Sequence, residues 1–217
     1  MDPLLRRPLS IFRCNGEKGW IEFLIKLVGR GTQLFSQTKP GDRFSLLGPL
    51  GNSFPWQNIK NGILVGGGIG IAPLVFLAEE MIQSGKKPTL IWGFQSKEEL
   101  CCVDKMKALQ AGIHVATDDG SYGFHGLVTE KLARLLHESP ESRDATVFAC
   151  GPNPMMAALE KICANYFMEA YFSLEAHMAC GFGACAGCAV PSHDRKKYYL
   201  VCEDGPVFHK GDVYFGS

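Results

Sequence analysis

Cys180, Cys185, Cys188 and Cys202 stand in C-x4-C-x2-C…C spacing, the last of them fourteen positions beyond the third. That is the plant-type ligand arrangement for a [2Fe–2S] cluster, in which four thiolates hold two irons. Gly181, Gly183 and Gly187 lie among them. Without a Cβ, such residues let backbone wrap closely and aim N–H groups at sulfur, which helps to set a cluster's potential. A structural zinc site is the competing reading, but such sites usually carry two C-x2-C pairs, and here only Cys185–Cys188 forms one. A Rieske centre needs two histidine ligands, and His177 and His193 do not match that spacing. The other five cysteines (Cys14, Cys101, Cys102, Cys150, Cys163) are scattered through patterned segments. An odd total of nine, with no export signal, argues against a disulfide framework.

A second chemistry is written around glycine. Ile63-Leu-Val-Gly66-Gly67-Gly68-Ile69-Gly70-Ile71-Ala-Pro-Leu74 reads as a strand, a tight turn and a helix start. The exposed N–H groups of such a helix start suit a phosphate. It is not the G-x-G-x-x-G fingerprint, because Ile71 holds the third glycine position, and Phe94 and Gln95 end the second strand where a ribose-binding acid would stand. A plain Rossmann dehydrogenase is therefore disfavoured. Ala149-Cys150-Gly151-Pro152-Asn-Pro154 follows a later strand and makes Cys150 the candidate catalytic side chain at the same sheet edge. Thr117-Asp-Asp-Gly-Ser-Tyr-Gly123 follows another strand and could close over a dinucleotide.

The elements that must position these groups are legible as periodicity. Residues 9–53 read as β: Trp20–Val28 puts Ile21, Phe23, Ile25 and Leu27 on one face, and Arg43–Leu47 is a second candidate strand. Pro55–Asn61 reads as a linker. From Gly62, short apolar runs at Ile63–Val65, Thr89–Trp92, Ile113–Ala116, Thr146–Ala149 and Ala170–Ser173 alternate with helical patterns at Ala72–Gln83, Lys97–Leu109, Leu127–His137 and Pro154–Phe167. That alternation predicts an open parallel sheet with right-handed crossovers, its ligands at the carboxyl ends of the strands. The Cys- and Gly-rich end then becomes strand-like at Tyr198–Val201 and Asp212–Phe215.

Charge excludes other classes. Twenty-two basic and twenty-two acidic residues cancel without long runs, so neither a nucleic-acid footprint nor a membrane-surface patch is expected. Arg6–Arg7 is followed by no apolar stretch long enough for a signal peptide. The longest apolar segment, Ile69–Ala78, contains a proline and stops at Glu79. A cytoplasmic protein is expected.

Taken together, Arg7-Pro-Leu-Ser10, Gly29-Arg-Gly-Thr32, Gly48-Pro-Leu-Gly-Asn52, the glycine loop and Cys150-Gly-Pro152 resemble the ferredoxin–NADP reductase superfamily. With Met178-Ala-Cys180 through Cys188 and Val201-Cys202-Glu-Asp-Gly-Pro-Val207 added, the chain is similar to the electron transfer subunits of type B dihydroorotate dehydrogenases. The resemblance implies three units: an FAD-binding β-barrel at 1–55, an α/β NAD-binding domain at 62–174 and a [2Fe–2S] lobe at 175–217. It implies that Arg7, Pro8, Leu9 and Ser10 hold the flavin and its phosphates, and that Leu24, Ile25 and Lys26 line its ring. Gly31 and Thr32 would cap the pyrophosphate, while Gly66, Gly67, Gly68, Gly70, Cys150, Gly151 and Pro152 would receive NAD(P).

By the same resemblance, dihydroorotate is oxidised on a separate FMN-containing catalytic subunit, in a two-plus-two assembly, and electrons reach NAD⁺ through this chain. A nicotinamide exchanges two electrons as hydride and a [2Fe–2S] cluster carries one, so a flavin must stand between them. Related small subunits of NADH-dependent ferredoxin–NADP oxidoreductase typically carry Asp where Cys180 stands, and four cysteines favour the first resemblance. An electron-input subunit for another reductase or hydrogenase, or a non-catalytic iron–sulfur carrier, are the other readings. Only six residues precede Arg7, and about three strands from Leu9 to Leu47 are too few to close a six-stranded barrel. The barrel is therefore expected to be incomplete at its N-terminal side.

Overall fold

The computed structural model of the chain describes residues 5–109 and 111–216. Met1–Leu4 of the expected first unit and Ser217 of the last lie outside the described residues. The centre is a seven-stranded sheet, ordered β11-β8-β7-β3-β4-β5-β6 among the described residues. Its strands are β3 (Gly62–Gly67), β4 (Thr89–Phe94), β5 (Gly112–Thr117), β6 (Phe124–His125), β7 (Thr146–Cys150), β8 (Ala170–Ser173) and β11 (Val207–His209). All pairs are parallel except β11 with β8. The middle strands are buried on both faces, so they are continuous apolar runs rather than alternating ones.

Each face has its own core. On one, α2 (Ile71–Gln83) lays Ile71, Leu74, Val75, Ala78 and Met81 against Leu64, Leu90 and Phe148. It stops where Gly85 turns left-handed at φ 79°: the Gly85 and Lys86 N–H groups donate to the carbonyls of Ile82 and Met81, at 2.9 Å each. On the other face, α4 (Val128–Glu138) and α5 (Asn153–Asn165) cover Ile63, Val65, Ile91 and Val147. That second core also takes in Cys188, Val201, Cys202, Val213 and Phe215, so the C-terminal lobe is rooted in it. Burying a side chain such as Leu64 or Leu132 contributes about 1.5–3 kcal/mol each.

The N-terminal region departs from expectation. β1 (Ile11–Asn15) and β2 (Trp20–Phe23) form a two-stranded antiparallel ribbon, and no closed barrel exists among the described residues. β2 ends at Phe23, so Leu24, Ile25 and Lys26 lie beyond it, and Arg43–Leu47 is not a strand. A strand is stable only when its backbone N–H and C=O groups find a partner, and those of residues 43–47 meet no neighbouring strand. Ile21, Leu27, Val28, Phe44 and Leu46 are accordingly more than half exposed. Inside the span read as β sits a helix instead, α1 (Arg30–Ser36).

The helix expected over Lys97–Leu109 is a 3₁₀ turn at Lys97–Glu99 and a short α3 (Val103–Lys107), parted at Cys102, which is left-handed at φ 56°. Asp212–Phe215 makes only an isolated bridge, Val213 to Ser192. β10 (Tyr198–Leu200) pairs with β9 (Ala189–Pro191), framing the cysteine loop.

Candidate functional site

The sheet order reverses between β3 and β7: β4, β5 and β6 continue to one side and β8 to the other. In open parallel sheets, the crevice for a nucleotide lies at this reversal, beyond the carboxyl ends of the strands. The glycine loop ends β3 and Cys150-Gly-Pro152 ends β7, so two segments far apart in sequence meet there. Their approach is backbone on backbone. A Cβ on Gly70 would lie 2.3 Å from the Cys150 carbonyl oxygen, and one on Gly151 would lie 3.1 Å from the Gly67 nitrogen. Gly66 and Gly67 are equally confined, by Ile71 and by Met155 with Pro152.

Gly68 differs. It is left-handed at φ 54°, its Cα faces open space with nothing within 4 Å of a built Cβ, and its carbonyl accepts a 3.2 Å hydrogen bond from Trp92 Nε1 below. Neither α2 nor α5 has a side-chain cap at its N-terminus. Both helices begin at this crevice without a side chain over their first turn, the end of a helix that favours an anion. The residues present fit a dinucleotide.

Cys150, the candidate catalytic side chain, ends β7 in the core that holds Leu64 and Phe148. Its thiol is fully buried, hydrogen-bonded to Ser173, and pushed up to about 12 by burial and then by the nearby charge of Glu175. It stays a neutral thiol at ordinary pH. Glu175 follows β8; desolvation holds its carboxyl above the usual carboxylate range although part of the side chain reaches solvent. Trp92 and Glu175 carry no mark in the sequence beyond a buried strand and a segment end. The turn Thr117–Gly123 is drawn onto the end of β4, because Asp118 and Asp119 donate N–H bonds to the carbonyls of Phe94 and Gln95 at 3.0 and 3.2 Å. Asp118 and Asp119 thus stand beside the end of β4, the Asp119 carboxylate accepting from Ser121 N–H and Oγ at 2.9 and 2.6 Å.

The four cysteines of the lobe stand as two pairs. Cys188 and Cys202 Sγ are 3.3 Å apart and buried, while Cys180 and Cys185 interact at the exposed end. Among the described residues, no three His, Cys, Asp or Glu side chains converge as a single ion would need. Backbone donors meet these sulfurs. Gly183 N–H donates to Cys202 Sγ at 3.2 Å and Gly187 N–H to Cys185 Sγ at 3.4 Å. The Phe182 N–H, with those of Cys185 and Ala184, brings Cys180 down to about 7. Burial and the hydrogen bond with Cys188 raise Cys202 instead. Gly181 and Gly183, at φ 82° and 80°, make the turns that aim these N–H groups. Sulfurs in two pairs, each met by N–H donors, fit two bridged irons sharing four thiolates.

Of the expected flavin residues, Arg7 and Gly31 are brought into contact. The Arg7 guanidinium packs on Gly31, whose Cβ would fall 2.9 Å from its Nε, and among the described residues it meets no carboxylate. Pro8 and Ser10 are exposed and Leu9 half-buried, Leu24 and Ile25 are half-buried, and Lys26 pairs with Glu99 at 3.9 Å. Thr32 Oγ1 accepts the N–H bonds of Val28 and Gly29 at 2.9 and 3.1 Å, holding the turn before α1. A guanidinium beside a glycine suits a pyrophosphate.

Comparison with known proteins agrees with this geometry. Residues 175–214 match the iron–sulfur cluster binding domain of dihydroorotate dehydrogenase B, and residues 64–161 match the oxidoreductase NAD-binding domain. The chain is 42% identical to the electron transfer subunit of dihydroorotate dehydrogenase B (NAD(+)) from Bacillus caldolyticus, over 98% of this chain and 81% of that one. It is 39% identical, with the same coverage, to the subunit of that name from Desulforamulus reducens. A solved structure of NADH-dependent reduced ferredoxin-NADP oxidoreductase superposes with a TM-score of 0.85 at 31% identity, covering 97% of this chain and 75% of that one. The ferredoxin reductase of carbazole 1,9a-dioxygenase shares the fold at TM-score 0.61 and 19% identity, over 74% of this chain and 51% of that one.

Proposed function

The chain belongs to the family of dihydroorotate dehydrogenase B electron transfer subunits, and on that premise we propose that it carries electrons from an FMN-containing dihydroorotate dehydrogenase subunit to NAD⁺. The work divides among a flavin unit at 1–55, a nicotinamide domain at 62–174 and a cluster lobe at 175–217. The observation that carries the reading is the occurrence, on one chain, of a dinucleotide crevice at the β3/β7 reversal and a four-thiol loop lined with N–H donors.

Bound FAD supplies the exchange between two-electron hydride chemistry and one-electron transfer. The chain's own residues bind and orient. Arg7, Pro8, Leu9 and Ser10 hold the flavin and its phosphates, Leu24, Ile25 and Lys26 line its ring, and Gly31 and Thr32 close on the pyrophosphate. Gly68 lets the nucleotide phosphates reach backbone, Gly66, Gly67, Gly70 and Gly151 keep the two loops in contact, and Pro152 starts α5. Cys150 gives the crevice a compact, uncharged floor. Cys180, Cys185, Cys188 and Cys202 hold the cluster, and the glycine N–H groups stabilise the thiolate charge.

No helix among the described residues is long and apolar enough to cross a membrane. The functional form is a cytoplasmic heterotetramer of two subunits of each kind. The exposed end of the lobe, with Phe182 at 64% exposure beside Cys180, is where the catalytic subunit docks. The test is anaerobic co-expression with that subunit. The pair should co-purify, this chain should hold about two irons and two labile sulfides, and dihydroorotate should reduce NAD⁺. Separate elution at micromolar concentration would redirect the assignment to an electron-input subunit of another oxidoreductase.

A further inference from the structure

Asn52 sits in the Gly48-Pro-Leu-Gly-Asn52 turn, yet its side-chain amide and its backbone N–H are spent on a segment more than 150 positions away. Its N–H donates to Gly205 O at 2.6 Å. Its Nδ2 donates to Asp204 O at 3.0 Å and to Val207 O at 2.9 Å, and its Oδ1 accepts the Val207 N–H at 2.9 Å. Beside it Gly51, left-handed at φ 71°, comes so near that a Cβ would lie 2.3 Å from Gly205 O. No residue with a side chain could take that position without parting the two segments.

The clamped segment begins two residues after Cys202 and continues the turn that carries it. That turn is closed on itself: Asp204 Oδ2 accepts the Leu200 N–H at 2.6 Å, and the N–H groups of Glu203 and Asp204 donate to Leu200 O at 3.0 and 2.8 Å. On the other side, Phe54 is buried in the core that holds Phe12 of β1 and meets Phe148 edge-on at 5.4 Å. Leu24, one of the residues assigned to the flavin, packs against that same core. Phe54 and Asn52 therefore stand between the core that Leu24 packs against and the backbone that sets Cys202.

Resting on the function proposed above, we propose that Asn52 is a positioning residue for electron transfer. Its amide fixes the Cys202 thiolate, and with it the buried half of the cluster, relative to the flavin unit. Hydrogen bonds across such a seam suppress local opening, and an amide side chain is suited to this because it donates and accepts at once.

The test compares wild type, Asn52→Ala and Asn52→Asp as anaerobically prepared holoprotein. Asn52→Asp keeps the acceptor for Val207 N–H but sets a carboxylate against two carbonyl oxygens, and it serves if Asn52→Ala fails to fold. Three quantities are read: iron release to a chelator, the electron paramagnetic resonance spectrum of the reduced cluster, and the rates at which NADH bleaches the flavin and then the cluster. Both variants should load iron and sulfide. Iron release should accelerate by at least about tenfold, the equivalent of ~1.4 kcal/mol. The resonance should broaden, and cluster reduction should slow while flavin bleaching keeps its wild-type rate. That split is what a loss of general stability would not produce. Unchanged resonance and cluster reduction in both variants, or flavin and cluster steps slowed by one common factor, would overturn the positioning role. Wild-type protein without iron and sulfide would overturn the underlying function and this inference with it.

Discussion

Gly68 and Gly70 are two residues apart, and the structure assigns them opposite sensitivities. At Gly68 an added methyl meets nothing within 4 Å, so the cost of Gly68→Ala is conformational. Holding a non-glycine residue at φ 54° costs about 1–2 kcal/mol. For a chain of this size that lowers Tm by roughly 2–8 °C. At Gly70 the backbone is ordinary, with φ −60°, but the methyl would stand 2.3 Å from the Cys150 carbonyl oxygen and 2.9 Å from Gly151 Cα. Both contacts are backbone, so no side chain can rotate away and β3 and β7 must separate at the crevice. Gly70→Ala should therefore lose at least about 3 kcal/mol, the upper range of overpacking. The nucleotide effects run the other way relative to stability. Gly68→Ala should raise the NADH dissociation constant by at least about tenfold, ~1.4 kcal/mol, because the methyl occupies the space the phosphates need. Its visible spectrum should be unchanged. Urea unfolding and NADH titration on both variants check this. Wild-type NADH affinity in Gly68→Ala would refute the phosphate approach, and a Gly70→Ala no less stable than Gly68→Ala would refute the backbone apposition.

Cys185→Ser should abolish iron binding in anaerobic protein. Cys163→Ser, which places a hydroxyl in the buried core, should keep its iron and lose about 1–3 kcal/mol in urea unfolding; stoichiometric zinc in place of iron would sink both expectations. His114 is held below its usual range by burial and then by Lys131, so the unfolded chain takes up its proton first as pH falls. Stability should decline from about pH 6.5 downward until the lowered folded value is passed, and His114→Gln should flatten that limb in denaturation curves at several pH values. Phe182→Glu should weaken co-purification with the catalytic subunit, through an unpaired charge at the contact, while iron content stays at wild-type level. An unweakened complex would move the docking surface away from the cluster loop.

Some of this molecule is written locally. The cysteine spacing is legible because ligands within a nine-residue loop are held by chain connectivity, with only Cys202 brought from farther away. The strands β3, β4, β7 and β8 were legible because strands buried on two faces must be apolar throughout, and a glycine turn after β3 announces a helix start. Other features belong to no local pattern. Arg43–Leu47 has the composition of a strand but finds no partner, and β2 stops at Phe23 for the same reason. Periodicity describes which face of a strand is buried and says nothing of whether a neighbour exists to bond its backbone. α1 has no local signature because seven residues opened by Arg30 and Gly31 offer too short an apolar stripe. That Gly70 touches the Cys150 carbonyl, that Asp118 hangs on Phe94, and that Asn52 grips the segment behind Cys202 are facts of strand order and chain crossing. Residue types along the chain determined which chemistry could occur, while the order of β3 and β7 in the sheet and the seam at Asn52 decided where those groups meet. Contacts between distant segments depend on how strands are arranged side by side, and no local spacing encodes that arrangement.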